Sequence, residues 1–318
     1  MDIPTLLASR LVMVTGKGGT GKTSFSAALG RVFAERGHRT IVAEIDTFRP
    51  ALTAALGVAP RYAPTLVAPR LHICNVSWRE ALEEWLKHAV PAQRVVRKII
   101  DNKLVQTFLD ATPGVRETVI LSRILTLTEQ FDKVILDMPA SGHAISLLGV
   151  PKVAIGLMRG GPIRERAEQI QAVLARKDTA LCIVGLPEEM VVNETVELWD
   201  RLSKEVPVLR RPHVVLNRAA VPSLTDAERT LLSRLEVELG TGPAAELVLA
   251  GKWEAGLEMA TAESQQRLAA SFGDEPMTFA RLGALGGFGG GPQKIVQQMA
   301  LALTREAARR SAQVGDSP

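Results

Sequence analysis

The residues Gly16-Lys17-Gly18-Gly19-Thr20-Gly21-Lys22-Thr23 satisfy the pattern G-x-x-x-x-G-K-[ST], whose chemistry is the cradling of a polyphosphate. Glycines let backbone N–H groups turn inward onto phosphate oxygens. Lys22 is expected to reach the β- and γ-phosphates, and the Thr23 hydroxyl to ligate Mg²⁺. Gly16, Gly18, Gly19, Thr20, Gly21 and Ser24 complete the expected nucleotide-binding set. Lys17 is a second lysine inside the loop, where the pattern requires none. A cation held beside a triphosphate is costly unless something negative meets it. It is either a solvated loop lysine or a group with a partner elsewhere.

Three further polar residues end apolar runs. Asp137 follows Val134-Ile135-Leu136, where a carboxylate can hold Mg²⁺ directly or through water. The loop after it, Met138 to His143, contains a turn-prone glycine and can respond to a γ-phosphate. Asp46 ends the run from Thr40 to Ile45, where it can orient or deprotonate an attacking water; the alternative is a turn or capping aspartate. Asn217 ends the run from His213 to Leu216. Its amide has the donor and acceptor that match an adenine edge, and Arg218 is placed beside it.

The elements that must position these groups follow from periodicity. Apolar, β-branched runs at 11–14, 40–45, 71–76, 133–136, 181–184 and 213–216 read as strands. Their near-continuous apolarity implies a mainly parallel sheet buried on both faces, with helices between the strands. The expected fold is α/β and doubly wound, with ligands at the carboxyl ends of the strands. After the glycine loop, Phe25, Ala28, Leu29, Val32 and Phe33 recur at helical spacing, and Gly37 closes the helix. From Ser77 to Gln130 no strand is expected. Leu82, Trp85 and Leu86, then Val95 to Leu104, then Val119 to Leu127 give three helical stripes, read as an inserted helical subdomain over about 77–130. Its apolar faces serve either as its own core or as a client surface. Further helix is expected over 254–272 and from Pro292. One domain spans 1–310, and residues 311–318 are expected to be a disordered tail.

The loop resembles the deviant phosphate loop of the dimeric ATPases of the division-site, chromosome-partitioning, nitrogenase-iron-protein and arsenical-pump families. Three further segments narrow this to the arsenical-pump and tail-anchored-protein-targeting branch. Phe131 to His143 with Leu147 to Pro151 is similar to its switch II segment. Leu186-Pro187-Glu188-Glu189-Met190 with Glu194-Thr195 resembles another of its signatures, and Val214 to Arg218 its adenine-contacting strand end. The resemblance implies a Mg²⁺-dependent ATPase that closes as a dimer around its nucleotides. It implies that Lys17 acts in trans on the partner's nucleotide, that Asp46 is the switch I catalytic carboxylate, that Asp137 lies on the Mg²⁺ side, and that the glycines from Gly283 to Gly291 lie beside the adenine or form a connector. The sequence departs from the family at Thr47-Phe48-Arg49-Pro50, where Pro, Ala and His usually follow the aspartate. It has no C-x-x-C pair for a zinc-bridged dimer.

Bulk composition excludes other classes. Over 318 residues the net charge is +4, too small to argue for nucleic acid as a partner. Cys74 and Cys182 are the only cysteines. They support neither a disulfide framework nor a three-cysteine metalloid site, and read as buried core residues. The opening residues show no signal peptide and no stretch long enough to span a bilayer, so a cytoplasmic protein is expected. The expected output is a homodimeric nucleotide switch that controls a protein or membrane-protein client through the 77–130 helices. The competing readings are an ATP-binding regulatory module that hydrolyses little, a heterodimer with a paralogue, and a metalloid-efflux pump ATPase.

Overall fold

A computed structural model describes residues 3–45, 50–89, 114–274, 276–280 and 291–315. The chain builds one sheet in the order β3-β4-β2-β5-β1-β6-β7-β8. The strands are β1 (Leu11–Thr15), β2 (Thr40–Ile45), β3 (Thr65–Ala68), β4 (Leu71–Val76), β5 (Lys133–Asp137), β6 (Thr179–Gly185), β7 (His213–Ala219) and β8 (Met277–Ala280). All adjacent strands pair in parallel except β3, which runs antiparallel to β4 at the edge. β1, β5 and β6 are buried along their whole length, as continuous apolar runs between two helical layers require.

The described helices are α1 (Ile3–Ala8), α2 (Lys22–Glu35), α3 (Ala51–Leu56), α4 (Trp78–Ala89), α5 (Val115–Gln130), α6 (Ser141–Leu157), α7 (Pro162–Leu174), α8 (Glu189–Glu205), α9 (Asp226–Leu239), α10 (Pro243–Phe272) and α11 (Pro292–Gly315). Three apolar cores hold them, the smallest joining α8 and α10 to β7 through Val192, Leu216, Leu268 and Phe272. Of the larger two, one joins the sheet to α1, α2, α3 and α11 through Leu6, Phe25, Phe33, Leu52 and Leu303. The other joins it to α4 to α8 through Leu82, Ile124, Leu148, Ile170 and Leu202. This is the doubly wound arrangement, with every expected strand present.

α2 lies close against the sheet because Gly30 has no side chain. A Cβ there would stand 2.6 Å from Val42 Cγ2. Gly37, at φ 93°, sits just beyond its end. At the amino end of β5, the buried Lys133 donates from Nζ to the carbonyls of Leu7, Ala8 and Ser9 at 2.9, 2.9 and 2.7 Å. One cation thereby satisfies the free carbonyls at the end of α1.

The 82–86 and 119–127 stripes form α4 and α5, and Ile120, Ile124 and Leu127 are buried. The stripe from Val95 to Leu104 lies outside the described residues. α11 runs through Ser311 to Gly315, past the expected start of the tail. No described helix is long and apolar enough to cross a membrane.

Candidate nucleotide site

The glycine loop connects the carboxyl end of β1 to the start of α2. Gly16, Gly19 and Gly21 have φ of 139°, 83° and 96°, in the region that favours glycine. A Cβ on Gly16 would collide with the Val184 carbonyl of β6, so the loop can pass β6 only as glycine there. Gly18 and Gly19 have open space around them, which leaves the cradle accessible. The loop is braced internally: the Thr20 hydroxyl donates to the Lys17 carbonyl at 3.0 Å, and Lys22 Nζ donates to the same oxygen at 2.9 Å. Burial pulls the Lys22 ammonium below its ordinary pKa, and the nearby Asp137 carboxylate pushes the other way.

Asp137 closes the floor of the site. Its Oδ2 accepts from the Thr23 hydroxyl at 2.6 Å and its Oδ1 from the Ser26 hydroxyl at 3.1 Å. Burial raises its pKa to about 6. The Thr23 and Ser26 hydrogen bonds and Lys22 oppose the rise, while the negative Glu44 adds to it. A buried acid that Lys22 only partly offsets, set against a threonine hydroxyl, fits a hard divalent cation, because the cation supplies further positive charge and takes oxygen ligands. Thr23 and Asp137 are therefore the residues that would hold Mg²⁺. The Thr15 hydroxyl donates to the Pro139 carbonyl at 3.2 Å, which ties the loop's strand to the segment after Asp137.

Asn217 comes to this site from β7. Its Nδ2 donates to the Thr20 carbonyl at 2.8 Å, and its Oδ1 accepts from the Arg218 N–H at 3.0 Å. The amide thus braces the phosphate loop, and keeps one donor hydrogen and one lone pair for other use. Arg218 is exposed and takes a left-handed φ of 56°. Lys17 faces away from its own cradle. Its Nζ forms an ion pair of 2.7 Å with Glu194 of α8, and both side chains are about a third exposed (35% and 39%). Asp46, Thr47 to Arg49 and the glycines from Gly283 to Gly290 lie outside the described residues.

Sequence reasoning missed Ser26, Glu44 and the bracing role of Asn217. Ser26 lies one helical turn after Thr23, which was a legible signal. Glu44 interrupts an apolar strand two residues before Asp46, also a legible signal. The Asn217 brace joins residues 197 apart and leaves no trace in local sequence.

A parallel sheet with a phosphate loop at the end of a central strand, a loop lysine, and a threonine paired with a strand-end aspartate define a P-loop ATPase. Residues 9–160 match the model of the anion-transporting ATPase family. The chain is 26% identical over 272 residues to the ATPase BagA of Mycobacterium tuberculosis, covering 80% of this chain and 76% of that one. It is 25% identical over 282 residues to the ATPase GET3B of Arabidopsis thaliana, covering 70% and 67%. It is also 25% identical over 279 residues to the ATPase GET3C of the same plant, covering 70% of each. The chain is thus similar, over 70–80% of its length, to proteins named as ATPases, and the activity these matches support is ATP hydrolysis.

Proposed function

We propose that this protein is a Mg²⁺-dependent nucleotide switch in which two copies of the chain close face to face over their nucleotides and reopen after hydrolysis. The carrying observation is Lys17. It lies within the phosphate loop, yet its ammonium sits at the surface on Glu194, where a second protomer can meet it. Within one protomer the loop amides and Lys22 bind the phosphates, and Thr23 and Asp137 hold Mg²⁺. The metal, when bound, neutralises charge on the β- and γ-oxygens. Lys17 of the facing copy adds a second positive charge, in the manner of an arginine finger supplied in trans. Asp46 orients the attacking water or accepts its proton. Asn217 and Arg218 hold the base end. Catalysis in this scheme is positioning and charge neutralisation.

The output is control of a protein or membrane-protein client through the 77–130 helices, which form the inserted subdomain of a single domain over 1–310. This work takes place in the cytoplasm. A metalloid-driven pump draws no support from the cysteines. Cys74 and Cys182 are buried on opposite faces of the sheet, in different cores. Burial lifts both thiols above their ordinary range, Cys74 to about 12.

The test is the solution mass of Asp46→Asn protein by light scattering, with and without Mg-ATP. A shift from 34.3 kDa towards twice that value, with ATP bound but not turned over, is the expected result. A monomer that binds Mg-ATP and never pairs would overturn the homodimer and point to a paralogous partner. Undiminished hydrolysis would remove Asp46 from the mechanism.

A further inference from the structure

Strand β7 carries a bulge at its site end. From Leu216 to Ala219 it sets four residues against the three from Thr278 to Ala280 on β8. Asn217 and Arg218 lie in that stretch, and a bulge bends a strand and re-aims its side chains. Arg218 has the left-handed φ of 56°, which a residue with a side chain keeps only where its surroundings enforce it. On the phosphate side Asn217 does so, holding the Thr20 carbonyl and the Arg218 N–H. Gly21 makes room for that amide, since a Cβ there would stand 2.4 Å from Asn217 Nδ2.

On the other side the hold comes from α10. Its buried stripe includes Glu258, Thr261, Ser264, Leu268 and Phe272, at the three- and four-residue spacing of one helix face. The end of the stripe is apolar, and Leu268 and Phe272 pack with Val214 and Leu216 of β7. The preceding turns are polar, and they grip the chain as it leaves β7. Thr261 Oγ1 accepts the Ala220 N–H at 3.0 Å while its own hydrogen goes to the Leu257 carbonyl at 2.8 Å. Glu258 Oε1 accepts the N–H and the hydroxyl of Ser223 at 2.7 and 2.8 Å. Its Oε2 accepts from Arg229 of α9 at 2.7 Å. Glu258 is 4% exposed, and a carboxylate is buried at bearable cost only where it is paired and hydrogen-bonded.

We propose that Thr261 and Glu258 are positioning residues for the base end of the nucleotide. They fasten residues 220–223 to α10 and so keep the 217–218 bulge in the shape that presents Arg218 and the free half of the Asn217 amide. The bulge is thereby clamped from both sides, by Thr20 of the phosphate loop and by α10. Releasing the α10 side lets the bulge relax, and leaves Lys22 and Thr23 where they are. This rests on the assignment of Asn217 and Arg218 to the base end made above.

The experiment is calorimetric titration of full chains with Mg-ADP, which has a base, and with Mg-pyrophosphate, which has only the phosphates. Thr261→Val is close in size to the native residue and leaves the Ala220 N–H without its acceptor. It should bind Mg-ADP about fivefold more weakly and Mg-pyrophosphate within about twofold of wild type. Its KM for ATP should rise while kcat holds within about twofold, and amide exchange at 219–224 should quicken. Thr261→Ser keeps the hydroxyl and should restore wild-type binding. Glu258→Ala should weaken Mg-ADP at least as much, because the lost acceptor is charged, and Glu258→Gln, which keeps an acceptor for Ser223, should recover part of it. Wild-type affinity for Mg-ADP in Thr261→Val would overturn the proposal. So would an equal loss for Mg-ADP and Mg-pyrophosphate, which would place the damage in the phosphate loop. The underlying assignment fails separately: if Arg218→Ala binds Mg-ADP as wild type does, Arg218 does not hold the base, whereas exchange at 219–224 still reads the clamp. Thr261→Val carries the test if Glu258→Ala does not fold.

Discussion

Asp137 shows how a site residue is maintained against its own folding cost. Its folded pKa of about 6 lies above the ordinary 3.8, chiefly from burial. The folded state therefore holds the proton more tightly than the unfolded chain does. The stability this group contributes is present below about pH 4 and is lost as pH rises to about 6. At neutral pH the ionised acid opposes folding by an amount on the order of 1–3 kcal/mol. Asp137→Asn removes the charge and keeps a group that can bond Thr23 and Ser26. The nucleotide-free variant should melt a few degrees higher than wild type at pH 7 and show little difference at pH 4, while Mg²⁺-dependent turnover is lost. A melting temperature lowered at pH 7 would sink this account.

Lys17 poses the opposite problem, because its ion pair with Glu194 competes with any role on a second protomer's phosphates. Both side chains are about a third exposed, and pairs of that kind are worth about 1 kcal/mol or less. The contact holds Lys17 but does not lock it. Glu194→Gln should strengthen ATP-dependent association of Asp46→Asn protein by up to about fivefold, and Lys17→Ala should abolish turnover. Weaker association in Glu194→Gln would mean that Glu194 supports the closed form.

The elements explain which parts of this molecule were legible in sequence. The six expected strands are the six that lie inside the sheet. Burial on both faces leaves an uninterrupted apolar run, and such runs are hard to mistake. The two strands missed, β3 and β8, are the edges. Each has four residues, and β3 has a bulge between Leu66 and Ala68. Edge strands pair on one side only, so their sequences carry half the constraint. The glycine loop and Asp137 were legible because their chemistry is local. Glu44 and the Asn217 brace depend on which strand lies beside which, and the Lys17–Glu194 pair on where α8 packs, and none of that is local in sequence. Lys133 is a further case. Its pattern reads as a strand-end lysine, yet it holds the carbonyls of Leu7, Ala8 and Ser9 at the end of α1. Lys133→Met would leave those carbonyls unpaired, at about 1–3 kcal/mol each in full desolvation. With partial access to water, a loss of roughly 3 kcal/mol is expected, or about 4–5 °C in Tm. Calorimetry on the full chain would check it, and an unchanged Tm would mean that α1 does not need this cap.

At the scale of the whole molecule, folding, ligand and association are linked equilibria, and melting reads all three. Binding Mg-ATP to the folded chain at about one hundred times its Kd adds about 2.7 kcal/mol of stability, equivalent to roughly 4 °C. That increment is independent of protein concentration if each chain binds alone. If two chains close over their nucleotides, unfolding also separates them, and Tm rises with protein concentration. Each tenfold increase is worth about 1.4 kcal/mol per dimer, on the order of 1–3 °C. For Asp46→Asn protein, which should hold ATP without turning it over, Tm measured at two protein concentrations should diverge in Mg-ATP and coincide in its absence. Divergence in both conditions describes a standing dimer that changes shape on binding. Coincidence in both means that nucleotide stabilises a lone protomer, and Lys17 then has no partner among copies of its own chain.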